Sequence, residues 1–188
     1  MTIRVLSELE GVCLGLVRKH EPCTAYRVRQ NLKAAPSSHW QASAGSVYPL
    51  LTRLEDKQLV MKTSDTADGR GRKLLRITRQ GRTALRKWLL MGAEPELISS
   101  MTDPVRSRMF FLDVLSATRQ TEYLDELISE MKHYLSKTKD HLGTLNEDDD
   151  PCAYLGSLGA VKIAEARLKW LREVVARFRT RSGNIGKQ

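Results

Sequence analysis

The sequence predicts a mainly α-helical chain broken by one small β-hairpin wing: an N-terminal winged helix-turn-helix followed by a C-terminal α-helical domain. Three observations carry this. Between Gly69 and Ala93 there is no acidic residue, yet Arg70, Arg72, Lys73, Arg76, Arg79, Arg82, Arg86 and Lys87 all fall there. Just ahead of that run Val47, Leu50, Leu51 and Leu54 recur at helical spacing, and behind them two short strand patterns flank an Arg/Gly tip, Asp68-Gly69-Arg70-Gly71-Arg72. The second half of the chain contains helical periodicity and no strand signal.

The charge distribution follows the same division. Residues 1–91 hold 17 Lys/Arg and 7 Asp/Glu, a surplus of 10 positive charges, whereas residues 92–188 hold 14 and 15. The formal charge of +9 therefore belongs to the first half. Such asymmetry points to one half touching a polyanion. A solvated cationic face is the plain alternative, but here the cations coincide with a strand-turn-strand pattern beside a helix. Cationic side chains on a Gly-bearing hairpin approach DNA phosphate closely and release condensed counterions.

The elements follow in order. Val5, Leu9, Val12 and Leu16 predict a core helix over about 3–19, broken at Glu21-Pro22. Thr24 caps a second helix to about Lys33, with Tyr26, Val28 and Leu32 available for packing. Residues 35–41 are polar and read as a connection anchored by Trp40. Ser43 is placed to cap a third helix over about 44–57. Alternation over 59–64 and 73–77 predicts the hairpin, with the wing at 66–71. Thr78 starts a fourth helix bearing Leu85, Trp88, Leu89 and Met91, and Gly92–Ser100 reads as a linker, leaving domains at 1–91 and 101–182.

Beyond the linker, Asp103-Pro104 opens a helix through Phe110, Phe111, Val114 and Leu115. Leu124, Ile128, Met131, Leu135, Thr138 and Leu142 line one face of the next helix. Glu147-Asp148-Asp149-Asp150-Pro151 forms an acidic turn. Val161, Ala164, Leu168, Leu171, Val175 and Phe178 then follow heptad spacing on a last helix. A seam that long asks for a long partner, most simply a second chain, so Val161, Leu168, Leu171, Val175 and Phe178 are the expected dimer interface.

Other classes find little support. No apolar stretch approaches a membrane span, and Glu8 and Glu10 interrupt the first apolar segment, which argues against a signal peptide and for a cytoplasmic protein. Cys13, Cys23 and Cys152 form neither a disulfide framework nor a metal knuckle, although Cys23 is a candidate reactive thiol. His133 and His141 lack a third ligand nearby, so no metal and no cofactor are expected. No constellation supports an enzyme.

Ser43-Ala44-Gly45-Ser46-Val47-Tyr48-Pro49-Leu50-Leu51-Thr52-Arg53-Leu54-Glu55, then Leu59-Val60, the Gly/Arg wing and Leu75-Arg76-Ile77-Thr78-Arg79-Gln80-Gly81-Arg82-Thr83-Ala84-Leu85, resemble the PadR family of bacterial transcriptional regulators. Ala25-Tyr26-Arg27-Val28 is similar to that family's Gly-Tyr-Glu-Ile. The resemblance covers residues 3–91; residues 92–188 agree in length and helical character. It implies a homodimeric repressor of double-stranded operator DNA, relieved by a planar aromatic effector held in a dimer cavity. The implied DNA-binding residues are Ser43, Gly45, Ser46, Tyr48, Pro49, Thr52, Arg53, Arg70, Arg72 and Lys73. Trp88, Phe110, Phe111 and Trp170 are the aromatics available to the effector, with ordinary core packing as their alternative.

Physical chemistry fits these roles. Hydroxyls at a helix N-terminus suit phosphate, and Gly45 permits close approach. Pro49 is tolerable near a first turn. Tyr48 can stack on sugar, and Arg53 either meets backbone or pairs with Glu55 or Asp56. The sequence departs from the family where Gln58 replaces the usual Gly, Leu75 a Tyr and Arg27 a Glu; Gln58 predicts a turn less sharply left-handed. The rival readings are a MarR-like regulator and a winged-helix module that binds another protein.

Overall fold

The computed structural model describes residues 6–35, 38–65, 72–90 and 103–185. The chain divides into two units, Met1–Ser99 and Ser100–Gln188.

In the first unit α1 spans Glu8–His20. It begins later than the apolar pattern suggests because Ser7 and Glu10 close a reciprocal capping box ahead of it. Thr24 caps α2, Ala25–Ala34, as its position in the sequence predicts. Val28 and Leu32 are buried on α2, but Tyr26 is not a packing residue: it is 56% exposed and accepts a hydrogen bond from Gln30.

The polar connection contains a helix that its sequence hides, α3, Ser38–Ser43. Ser43 therefore ends a helix instead of capping the next one, and its hydroxyl donates to the His39 carbonyl at 2.8 Å. A single 3₁₀ turn, Ala44–Ser46, leads into α4, Val47–Asp56, whose Val47, Leu50, Leu51 and Leu54 are all buried. Trp40 packs against the same core, which accounts for α3 in a segment of weak helical signal.

The end of α4 overturns the expectation for Gln58. The Leu59 amide bonds to the Leu54 carbonyl at 2.8 Å and the Gln58 amide to that of Glu55 at 2.7 Å, the paired bonds of a Schellman motif. Gln58 takes the left-handed conformation this demands, with φ of 57°, despite its Cβ. Two bonds and the burial of Leu54 and Leu59 outweigh the local cost.

Strands β1, Val60–Asp65, and β2, Arg72–Ile77, pair antiparallel, with Val60 opposite Ile77 and Asp65 opposite Arg72. Val60, Leu75 and Ile77 face the core, whereas Met61 is exposed. Thr78 caps α5, Arg79–Leu89, accepting from the Gly81 amide at 2.9 Å and donating to the Gln58 carbonyl at 2.7 Å. A Cβ at Gly81 would lie 2.0 Å from the Leu59 carbonyl oxygen, so only glycine lets α5 reach the base of the hairpin. On α5, Leu85 is buried but Leu89 is 65% exposed, contrary to its expected packing; Met91 and the linker lie outside the described residues.

The second unit opens with α6, Pro104–Met109, capped by Asp103. The helix expected to continue through Leu115 stops here and gives way to a 3₁₀ turn at Leu112–Val114. Leu112 is buried, while Phe110, Phe111 and Val114 are exposed. Ser116 then caps α7, Ala117–Gly143, and the acidic turn leads to α8, Pro151–Ile185, where the Asp150 carboxylate accepts from the Ala153 amide at 3.1 Å.

The helices α7 and α8 pack along one another. Lys139 pairs with Glu165 at 2.8 Å and Asp125 with Arg179 at 3.2 Å. These pairs lie fourteen residues apart on each helix and run in opposite directions, which fixes an antiparallel register. The heptad seam thus has its long partner inside the same chain. Val161, Leu168, Leu171 and Val175 are between 1% and 8% exposed, and Phe178 packs with Leu112, Leu124 and Val175. Within the single chain α7 thus covers most of the seam from which the dimer interface was expected, leaving Phe178 partly exposed.

Candidate nucleic-acid interface

On α4 the burial of Val47, Leu50, Leu51 and Leu54 turns the opposite face outward. Tyr48, Pro49, Thr52 and Arg53 all lie on that exposed face, preceded by exposed Gly45 and Ser46 on the 3₁₀ turn. Tyr48 is 48% exposed, a large surface for a helix aromatic in a packed unit. The Thr52 hydroxyl donates to the Tyr48 carbonyl at 3.2 Å. Neither Ser43 nor Ser46 makes a side-chain cap to the helix that follows it, so the first turn of α4 has amides with no side-chain acceptor at that cap.

Gly45 differs from two other glycines of this unit. A Cβ at Gly11 would strike the Trp88 ring at 2.3 Å, and one at Gly81 would strike backbone, whereas at Gly45 nothing lies within 4 Å. Packing among the described residues therefore accounts for Gly11 and Gly81 but not for Gly45.

The hairpin flanks this face. Lys62 on β1 pairs with Glu55 on α4, so the strand borders the helix, and Glu55 is engaged there and not with Arg53. Arg72, Lys73 and Arg76 on β2 and Arg79, Arg86 and Lys87 on α5 are exposed. Arg70 lies outside the described residues.

Two acidic residues hold the scaffold behind the face. Glu10 accepts from Lys57 at 2.7 Å just beyond α4, an ion pair spanning 47 residues of sequence. Burial pushes the Glu10 carboxyl upward, but hydrogen bonds from Lys57 and Ser7 and the Lys57 charge outweigh it and hold it below the ordinary value. Glu21 accepts from the Ile77 amide at 2.9 Å and pairs with Arg82. Sequence pattern missed both, because their partners are distant along the chain.

The candidate effector aromatics do not share a role. Trp88 lies over Gly11 as part of the first unit's packing. In the second unit Trp170 is half-buried on α8, while Phe110 and Phe111 are 76% and 70% exposed. Cys23, a candidate reactive thiol, is buried: burial and the Glu21 charge raise its pKa against the opposing effect of Arg27, and its backbone bridges Leu75. Cys13 is wholly buried and pushed up to about 12 by burial. Among the described residues no group of three or more His, Cys, Asp or Glu is placed to hold a metal ion, and no helix is long and apolar enough to cross a membrane.

Comparison with known proteins agrees with this arrangement. Residues 13–87 match the profile of the Transcriptional regulator PadR-like family. The match lies within the N-terminal unit, whose winged helix is similar to that family, and it favours a PadR-like reading over a MarR-like one. The family is one of transcriptional regulators and not of enzymes.

Among solved structures, Bacillus subtilis PadR in complex with operator DNA superposes with a TM-score of 0.77 at 21% identity, over 92% of this chain and 99% of that one. The same Bacillus subtilis protein in complex with p-coumaric acid gives 0.71 at 21% identity, over 91% and 95%. The Vibrio cholerae virulence activator AphA gives 0.70 at 20% identity, over 92% and 99%. These similarities extend the winged-helix and helical architecture to almost the whole chain. No curated protein matches the sequence.

Proposed function

We propose that this chain is a sequence-specific DNA-binding transcriptional regulator, a homodimeric repressor whose α4 outer face enters the major groove while β2 meets phosphate. The observation that carries this is the open stripe from Gly45 to Arg53, at whose head packing gives no reason for a glycine. Close approach of a duplex supplies one. Tyr48, Thr52 and Arg53 then face base edges or sugar, and Ser43, Ser46 and Pro49 shape the first turn. Arg70, Arg72 and Lys73 add the sequence-independent part of affinity.

A salt titration of binding to duplex DNA tests it. Changing Arg72 and Lys73 together to Ala weakens binding to every duplex alike and lowers the slope of log K against log salt by about 1 for each phosphate no longer neutralised. Changing Tyr48 or Arg53 alters the preference among sequences instead. An unchanged slope in the first variant rules out the hairpin contact.

The homodimer rests on the second unit, whose Phe110, Phe111, Val114, Leu155 and Ile163 are exposed. Two linked modules read half-sites about 34–36 Å apart, so operator affinity falls with the dimer. Sedimentation of Phe111→Asp and Ile163→Asp distinguishes this surface from the enclosed seam. Phe110, Phe111 and Trp170 are the contacts we assign to a planar aromatic effector, of the kind the Bacillus subtilis PadR complex contains. Its coupling to DNA is reciprocal: operator DNA weakens effector binding by the factor by which effector weakens DNA binding. Trp fluorescence during a screen of planar phenolic acids reads occupancy.

A further inference from the structure

The α1–α2 turn serves β2 as a third edge. On one side β2 is paired with β1; on its other side the Cys23 amide donates to the Leu75 carbonyl at 3.2 Å and the Leu75 amide to the Cys23 carbonyl at 2.7 Å. Alternate residues of a strand present their backbone groups to the same side, so Ile77 follows Leu75 there. The Ile77 amide meets the Glu21 carboxylate, at 2.9 Å through Oε2, while Oε1 of the same group takes Arg82 of α5. Glu21 is only 16% exposed and ties the α1–α2 turn to groups that lie 56 and 61 residues away in sequence.

We infer that Glu21 is a positioning residue for the DNA-contacting hairpin: one carboxylate sets the angle at which β2 leaves the body of the unit. The inference rests on the DNA-binding reading above. Ile77 stands at the base of β2 and Arg72 at its far end, about 16 Å away at some 3.3 Å per residue. A tilt of about 10° at the base then moves the far end by about 3 Å, enough to break a hydrogen bond to phosphate. A backbone amide and a guanidinium, held by two oxygens of one rigid group, remove that tilt.

The test compares Glu21→Ala and Glu21→Gln, each alone and combined with Arg72→Ala and Lys73→Ala, by salt titration on duplex DNA and amide hydrogen exchange on the full chain. Glu21→Ala is expected to weaken binding about tenfold per displaced phosphate contact at 0.1 M salt, with the slope falling by about 1 each. Glu21→Gln, which keeps an oxygen for the Ile77 amide, recovers most of that loss. Once Arg72 and Lys73 are Ala, Glu21→Ala adds nothing further, and the Leu75 and Ile77 amides exchange faster whether or not DNA is present. Should Glu21→Ala not fold, Arg82→Ala, which spares the Ile77 bond, takes its place with a smaller slope change.

Full additivity of the Glu21 and hairpin substitutions, or unchanged exchange at Ile77, overturns the inference. Wild-type protein that ignores duplex DNA at low salt refutes the DNA reading and with it the contact role. The exchange data then still report whether Glu21 fixes the hairpin.

Discussion

The two units solve the problem of burying apolar surface in opposite ways. In the first, α1, α2, α4, β1, β2 and α5 all contribute to one core, and Gly81 admits a contact that any side chain would block. Its long-range polar bonds, Glu10 to Lys57 and Glu21 to Ile77 and Arg82, are partly shielded from water. In the second, two long helices bury a single seam, their ion pairs lie at exposed rims, and Phe110, Phe111, Val114 and Ile163 face outward. The first unit therefore has one closed core and a largely cationic exterior, on which Tyr26, Tyr48, Met61 and Leu89 are apolar exceptions. The second leaves apolar area that its own described residues do not cover.

Substitutions probe this difference in descending order of effect. Gly81→Ala places a Cβ against backbone that cannot yield, and the first unit is expected to lose more than about 4 kcal/mol, seen as an early urea transition by circular dichroism. Leu171→Ala, in the seam at 1% exposure, is expected to cost about 2–5 kcal/mol, with Trp170 fluorescence reporting the shift. A cost under about 1 kcal/mol there would mean that α7 and α8 do not enclose the seam. Thr78→Ala removes both a cap and a bond to the Gln58 carbonyl and should cost about 1–2 kcal/mol in thermal melting. Gln58→Gly goes the other way, stabilising by about 1 kcal/mol because the left-handed turn no longer carries a Cβ.

The pH dependence sharpens the same contrast. Glu10 titrates below its ordinary value of 4.5 in the folded chain, so its contribution is fully present above that pH and is lost as pH falls through the lower, folded value. Glu10→Gln is expected to flatten the acid limb of the stability curve below about pH 4.5. A limb that keeps its slope would show that Lys57 does not hold the carboxyl.

Much of the first unit was legible because its signals are local. Thr24 and Thr78 announce their helices, and the spacing of Val47, Leu50, Leu51 and Leu54 gives both α4 and its outward face. What periodicity does not state is who covers a face. Heptad spacing marked Val161 to Phe178 as a seam that needs a partner, and all but Phe178 are buried in the single chain, but a partner in the same chain and one in another leave the same pattern. For the same reason Tyr26, Leu89, Phe110 and Phe111 look like packing residues and are exposed. The helix Ser38–Ser43 gives little signal because its sequence is polar and short; the packing of Trp40, a tertiary contact, sustains it. Gln58 shows a tertiary requirement overriding a local preference: the hydrogen bonds at the end of α4 impose a backbone that the residue itself disfavours.

Cys13 gives the chain a built-in clock. Inside the folded unit its thiol is wholly buried and pushed up to about 12 by that burial, so alkylating reagents near pH 8 reach almost no thiolate there, whereas Cys152 is exposed to them. Each opening of the first unit returns Cys13 to a pKa near 9, and labelling then counts openings. A ligand that binds only the closed form slows that count by the factor 1 + [L]/Kd. The interval between labelling events thus weighs an operator, an effector or a stray anion on one scale, using a thiol the chain already carries.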